Sequence, residues 1–197
     1  MSQTEVQLIK NGAVVDADIN GMSSSKLSGA LPAISGASLT NLPASGLFTS
    51  YALLADVHSA SSANLGSFTS GDWRTRDINT KLADPDSIVT LSSNQFTLQA
   101  GTYLIKYNVP AYGINRHAVR LRNITDSSSA GQATAVYLNA GIKHMFAAQG
   151  AARVVISGQK VFEIQGQAET TKSDNGFGFT MITGPSELVQ VEIFKEA

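Results

Sequence analysis

Two neighbouring runs of alternating residues constrain this chain more than anything else in it. Tyr103, Ile105, Tyr107 and Val109 fall on one face of residues 101–110, and Thr102, Lys106 and Asn108 fall on the other. A few residues on, Arg116, Arg120 and Arg122 stand opposite Val119 and Leu121. Alternation with period two is the mark of a half-buried β-strand. Tyr112-Gly-Ile-Asn115 between the runs supplies turn chemistry. The pair therefore predicts two strands joined by a loop, each with one face committed to a core.

The pattern continues to the C-terminus. Strands are expected over 73–79, 87–91, 94–98, 102–109, 116–124, 133–139, 152–157, 160–168, 176–182 and 188–195. Turn residues separate most of them, among them Asp84-Pro-Asp86, Asp126-Ser-Ser-Ser129, Ser173-Asp-Asn-Gly176 and Gly184-Pro185. Many short strands with no helical stretch imply an all-β sandwich or jelly roll. Only Phe48, Tyr51 and Phe68 of the aromatic residues precede residue 71. Because aromatics dominate buried area, the main domain is expected over 71–197.

Residues 1–24 carry a different signal. Val6, Leu8 and Ile9 flank Asn11-Gly12 on one side, and Val14 and Val15 on the other. Asn-Gly between apolar runs favours a tight hairpin. A lone hairpin is marginal in water and needs a packing partner. Residues 25–70 form the second zone. Leu27-Ser-Gly-Ala30 returns as Ile34-Ser-Gly-Ala37, and Leu31-Pro-Ala33 returns as Leu42-Pro-Ala44. One apolar residue in every few (Leu27, Leu31, Ile34, Leu39, Leu42) cannot build a core in a single chain. Three chains wound about one axis would bring each Leu against its own copies; a flexible Ser/Gly linker is the other reading. Residues 49–60 suit a short helix capped by Thr49 or Ser50, with Leu53, Leu54 and Val57 on one face.

Composition excludes several functions. Charged residues are 15% and the net charge is −1, so no basic field exists to attract nucleic acid. There are no cysteines, which removes disulfides and thiolate metal sites. Residues 27–55 are uncharged, but Ser, Gly and Pro interrupt them too often for a membrane-spanning helix. The start lacks the basic and apolar regions of a signal peptide, so synthesis in a cytoplasm is expected, without membrane insertion.

No catalytic signature is present: no Gly-x-Ser-x-Gly, no phosphate-binding loop, no His-Glu-x-x-His. His58, His117 and His144 are far apart, and neither Asp16-x-Asp18 nor Asp84-x-Asp86 has the rest of a calcium loop. The expected catalytic, metal and cofactor sites are therefore none. The arginines 116, 120 and 122 fit a solvated face, intersubunit ion pairs or a stripe for an acidic glycan.

Trp73-Arg-Thr-Arg-Asp-Ile-Asn79, Phe96-Thr-Leu-Gln-Ala-Gly-Thr-Tyr-Leu-Ile105, His117-Ala-Val-Arg-Leu-Arg122, Gly176-Phe-Gly-Phe-Thr180 and Val189-Gln-Val-Glu-Ile-Phe-Lys195 together resemble the C-terminal knobs of bacteriophage fibre proteins. Those knobs are similar to the trimeric jelly rolls of tumour necrosis factor and of complement globular heads. Leu39-Thr-Asn-Leu-Pro43 resembles phage-fibre shaft sequence. The resemblance implies a homotrimeric virion surface protein with a knob over about 71–197. It departs from most tail fibres, which begin with a sizeable docking domain, where this chain has about 24 residues ahead of the shaft.

On this reading the hairpin residues Val6, Leu8, Ile9, Val14 and Val15 are the candidate virion anchor. The candidates for trimer packing are Leu27, Leu31, Ile34, Leu39, Leu42, Tyr103, Tyr107, Phe177 and Phe179. Loops on a rigid β-scaffold carry recognition, so two tips are candidate receptor contacts: Tyr112, Asn115 and Arg116, and Lys172, Asp174 and Asn175. Partners are then other virion proteins, of capsid or tail, and a host surface polysaccharide. The competing reading is a capsid decoration or head fibre that stabilises the head without binding a receptor.

Overall fold

The computed structural model describes residues 46–137, 141 and 144–197. These carry twelve strands: β1 (Phe48–His58), β2 (Trp73–Thr75), β3 (Thr80–Ala83), β4 (Val89–Ser92), β5 (Gln95–Leu98), β6 (Gly101–Tyr112), β7 (Arg116–Asn123), β8 (Ser128–Gln132), β9 (Val136–Tyr137), β10 (Met145–Ile156), β11 (Lys160–Ala168) and β12 (Ser186–Glu196). The expected hairpin over 1–24, with Val6, Leu8, Ile9, Val14 and Val15, lies outside the described residues. So do Leu27, Leu31, Ile34, Leu39 and Leu42 of the expected shaft.

Two antiparallel sheets face one another. One has the order β10-β6-β12-β1-β3, and the other β4-β5-β11-β7-β8, with β2 added to β11 and β9 to β7. Setting aside the short β2, β3, β4 and β9, the chain crosses between the sheets at every connection but the β7–β8 hairpin, from β1 to β5 to β6 to β7 and from β8 to β10 to β11 to β12. That crossing path is the paired Greek key of a jelly roll. The all-β jelly-roll expectation therefore holds, and the strand order supplies the reason.

Strand β6 explains the core. Tyr103, Ile105, Tyr107 and Val109 point inward and meet Val119, Leu121, Phe162 and Ile164 of the opposing sheet, with Val189, Val191 and Ile193 beside them. Full burial of each large apolar side chain is worth about 1.5–3 kcal/mol, so the alternation seen in the sequence is also the main source of stability. A smaller cluster of Phe68, Ala111, Ile114, Ala168 and Phe177 closes one end.

Several expectations are corrected. The helix over 49–60 is strand β1, paired with β12 from Phe48↔Glu196 to His58↔Ser186. Leu53-Leu54-x-x-Val57 has helical spacing, yet Ala52 and Leu54 enter the core at a spacing of two, and β12 needs a partner for its backbone. Tertiary pairing overrides the local signal. The sandwich thus begins near residue 48, and residues ahead of the expected 71–197 domain contribute buried Leu65 and Phe68.

The strand over 176–182 is instead a loop, so Phe177 and Phe179 do not share a face: Phe177 is 5% exposed and Phe179 is 43% exposed. Tyr103 and Tyr107, at 1% and 3%, are filled around by their own chain, as is Phe177, and present no surface to a second copy. Gly150 shows how closely the sandwich shuts on Tyr107: a Cβ there would lie 2.3–2.5 Å from the phenol ring. The turn at Asp126–Ser129 starts earlier, so that Ser128 already begins β8, and β10 runs from Met145, well ahead of the expected 152.

Candidate functional site

One end of the sandwich gathers polar and aromatic side chains into a cleft. At the other end β1 begins: Phe48 pairs with Glu196 and Gly101 with Ile156. Strand β6 runs from there to Tyr112, and at about 3.3 Å per residue its length puts Tyr112 more than roughly 30 Å away.

The loop after β11 forms the far wall. Segment 65–68 templates it like a short extra strand. Phe68 N–H donates to Lys172 O at 2.9 Å and Lys172 N–H donates back to Phe68 O at 2.9 Å. Gly176 N–H reaches Gly66 O at 2.9 Å, and Tyr112 N–H reaches Gly176 O at 3.0 Å, which ties the loop to the end of β6. Asn175 adopts φ 51°, a left-handed conformation that Asn tolerates. Its side-chain oxygen accepts the Leu65 N–H at 3.1 Å.

Beneath the loop lies Arg76, fully buried. Nη1 donates to Pro110 O at 2.6 Å and Nη2 to Phe177 O at 2.8 Å, while the guanidinium sits 4.1 Å from the Phe177 ring centre. Burial lowers its pKa to about 9, against the pull of Asp56 and Asp77. It remains a cation at neutral pH and clamps the end of β6 to the loop by charge-assisted bonds.

The cleft holds about 410 Å3 and is lined by Tyr112, Gly113, Thr170, Lys172, Asp174, Asn175 and Phe179. The rings of Tyr112 and Phe179 stand 4.3 Å apart at 78° and form a corner. Lys172 Nζ lies 5.8 Å from the Tyr112 ring centre and 3.2 Å from Asp174 Oδ1. The hydrogen bond from Lys172 holds the Asp174 carboxyl below the usual carboxylate range. An aromatic corner, an ammonium, a carboxylate and an amide on one cleft can stack on a small polar ligand and hydrogen-bond it.

The two candidate receptor tips thus converge, but not completely. Tyr112, Lys172, Asp174 and Asn175 meet in the cleft. Asn115 and Arg116 stand outside its lining. Arg116 is 75% exposed on its side chain, lies 3.7 Å from Glu169, and borders a more apolar depression of about 530 Å3 with Val136 and Tyr137. Phe179, a candidate for trimer packing, lines the cleft and is 43% exposed. Gly113 and Thr170 were not foreseeable as lining, since only the loop's path brings them there.

Arg120 of the arginine stripe is engaged within the chain. The Arg120 guanidinium lies 4.0 Å from the Trp73 ring centre and its Nε donates to Gln165 Oε1 at 2.7 Å, and Arg122 is paired in register with Glu163. Among the described residues no three His, Asp or Glu side chains gather as a metal site, and no helix is long and apolar enough to cross a membrane.

The topology defines a jelly-roll fold. No family model matches the sequence, and no curated protein does. Solved structures give distant likenesses. The globular domain of zebrafish complement 1qA protein has 13% identity and a TM-score of 0.45, over 75% of this chain and 95% of that one. Eiger TNF from S. frugiperda has 13% identity and a TM-score of 0.49, over 75% and 92%. PRD1 vertex protein P5 has 13% identity and a TM-score of 0.43, over 77% and 100%. At such scores these likenesses assign no function, and the fold rests on the strand order itself.

Proposed function

We propose that this chain is a bacteriophage virion protein: a short homotrimeric fibre or spike, anchored by residues 1–24 and carried on a shaft, whose jelly-roll head attaches to host surface polysaccharide. The observation that carries this reading is the position of the cleft. It lies at the end of the sandwich far from Phe48, where β1 begins. This supports a head whose cleft is free to meet a host surface. The resemblance of the sequence to fibre knobs and shaft supports the virion setting.

The homotrimer is supported by the outer face of the five-stranded sheet. Tyr51, Phe194 and Leu104 stand in one row across β1, β12 and β6, with Tyr51 exposed, and Leu47 and Val155 are exposed near the same end. Apolar side chains on an outer face suit contact between copies. Weak binding at each cleft is then multiplied by three heads and many fibres, which raises avidity without a strong single site.

The test is adsorption. Purified full-length protein should compete with particles for host cells and bind host polysaccharide in a glycan array. Particles that adsorb normally without this protein, but break down sooner, would overturn the attachment role and leave a head-decoration role in its place.

A further inference from the structure

The cleft chemistry narrows the class of sugar, and this step rests on the attachment reading above. We infer that the cleft between Tyr112, Phe179 and the 172–175 loop takes a neutral hexopyranose unit, not an acidic sugar.

The first reason is charge. Selecting a carboxylated sugar needs an uncompensated cation, best as a bidentate guanidinium. The cation in this cleft is Lys172, and Asp174 lies 3.2 Å from its ammonium. A further pair, outside the cleft lining, is also balanced, with Arg116 beside Glu169 at 3.7 Å. An acidic sugar would meet the Asp174 carboxylate as closely as it met Lys172, and like charges in contact oppose binding.

The second reason is the pattern of donors and acceptors. A sugar hydroxyl both donates and accepts. Asp174 can accept from one hydroxyl, and the Lys172 ammonium can donate to the next. The Asn175 oxygen is already taken by Leu65 N–H, which leaves its Nδ2 group as the donor for a ligand. A carboxylate acceptor beside two nitrogen donors matches adjacent hydroxyls on a ring.

The third reason is shape. Tyr112 and Phe179 meet at 78°. The C–H face of a pyranose lies flat against one ring, and its edge meets the other. The negative face of an aromatic ring favours such weakly positive C–H groups. A flexible chain or a flat aromatic ligand would use one ring and leave the corner half empty.

The test uses the full-length chain and five probes: the methyl α-glycosides of glucose, galactose and mannose, methyl β-glucuronide, and N-acetylneuraminic acid. Saturation-transfer NMR with titration should show at least one neutral glycoside binding, its ring C–H protons most saturated, and the two acids weaker by about tenfold or more. Tyr112→Ala should weaken the neutral glycoside by about tenfold, and Tyr112→Phe by less than about twofold, because stacking survives without the hydroxyl. Asp174→Asn is the decisive variant, since its side chain is exposed and its loss does not threaten folding. It should weaken neutral sugar binding and improve binding of the acids by freeing Lys172.

Tighter binding of either acid by the unchanged protein would overturn the inference and leave attachment standing. The same follows if no probe binds while the protein still competes for host cells. Failure of both binding and competition would overturn the attachment reading with it.

Discussion

Acid should weaken this protein through one buried imidazole. His117 is 1% exposed, neither ring nitrogen has a hydrogen-bond partner among the described residues, and the ring lies 5.8 Å from that of Phe68. Burial first, and then the charge of Arg76, push its pKa down from 6.5 to about 3. The unfolded chain binds a proton as pH falls through 6.5, and the folded chain does not until about pH 3. Stability from this group is therefore complete above pH 6.5, falls between 6.5 and about 3, and levels off below.

Each pH unit in that window is worth about 1.36 kcal/mol. A step from pH 7.5 to 4.5 should remove about 2.7 kcal/mol, a large part of a typical domain's total of about 5–15 kcal/mol. Other groups act elsewhere or in the opposite sense. Arg76 stays charged throughout. Asp56, raised by burial in spite of His58, favours the folded state as it gains a proton. Asp126 and Glu196, held low by hydrogen bonds from Lys160 and Arg153, cost stability only at more acid pH. Urea unfolding at pH 7.5, 6.0 and 4.5 should be run on the wild type and on His117→Leu. The wild type should lose about 2.7 kcal/mol more than the variant across the range. Equal losses would refute the assignment.

Three further outcomes are expected. Gly66→Ala should destabilise by about 2–4 kcal/mol in thermal or urea unfolding, because φ is +78° and a Cβ there would lie 2.3–2.6 Å from the Phe177 ring. Arg76→Met should cost about 2–4 kcal/mol by leaving Pro110 O and Phe177 O without their donor, and hydrogen exchange should speed up in the 172–178 loop. Native mass measurement should give three times 20.7 kDa; a monomer would remove the argument for a shared shaft.

Strands β6, β7, β11 and β12 were legible because each carries a stretch of the alternation that a half-buried strand imposes. The inward set Tyr103, Ile105, Tyr107 and Val109 followed from the same pattern. Strand β1 was not legible. Leu53 and Leu54 satisfy helical and strand spacing alike, and only the exposed edge of β12 decides between them. The Phe177–Met181 run failed in the other direction, since its alternation is real in sequence but no neighbouring strand pairs with it.

Of the candidate site, the residue types were readable and their meeting was not. Tyr112 and the Lys172–Asn175 turn are some sixty residues apart in the chain, and each alone is an ordinary loop tip. The sequence by itself determined the fold class, because period-two burial needs only local spacing and a partner of any kind. The tertiary structure decided which strands became neighbours, that Tyr103 and Tyr107 face their own core, and that Arg76 clamps the loop against the end of β6. Those outcomes depend on long-range backbone pairing and on the space left by Gly150 and Gly66, which local pattern does not encode.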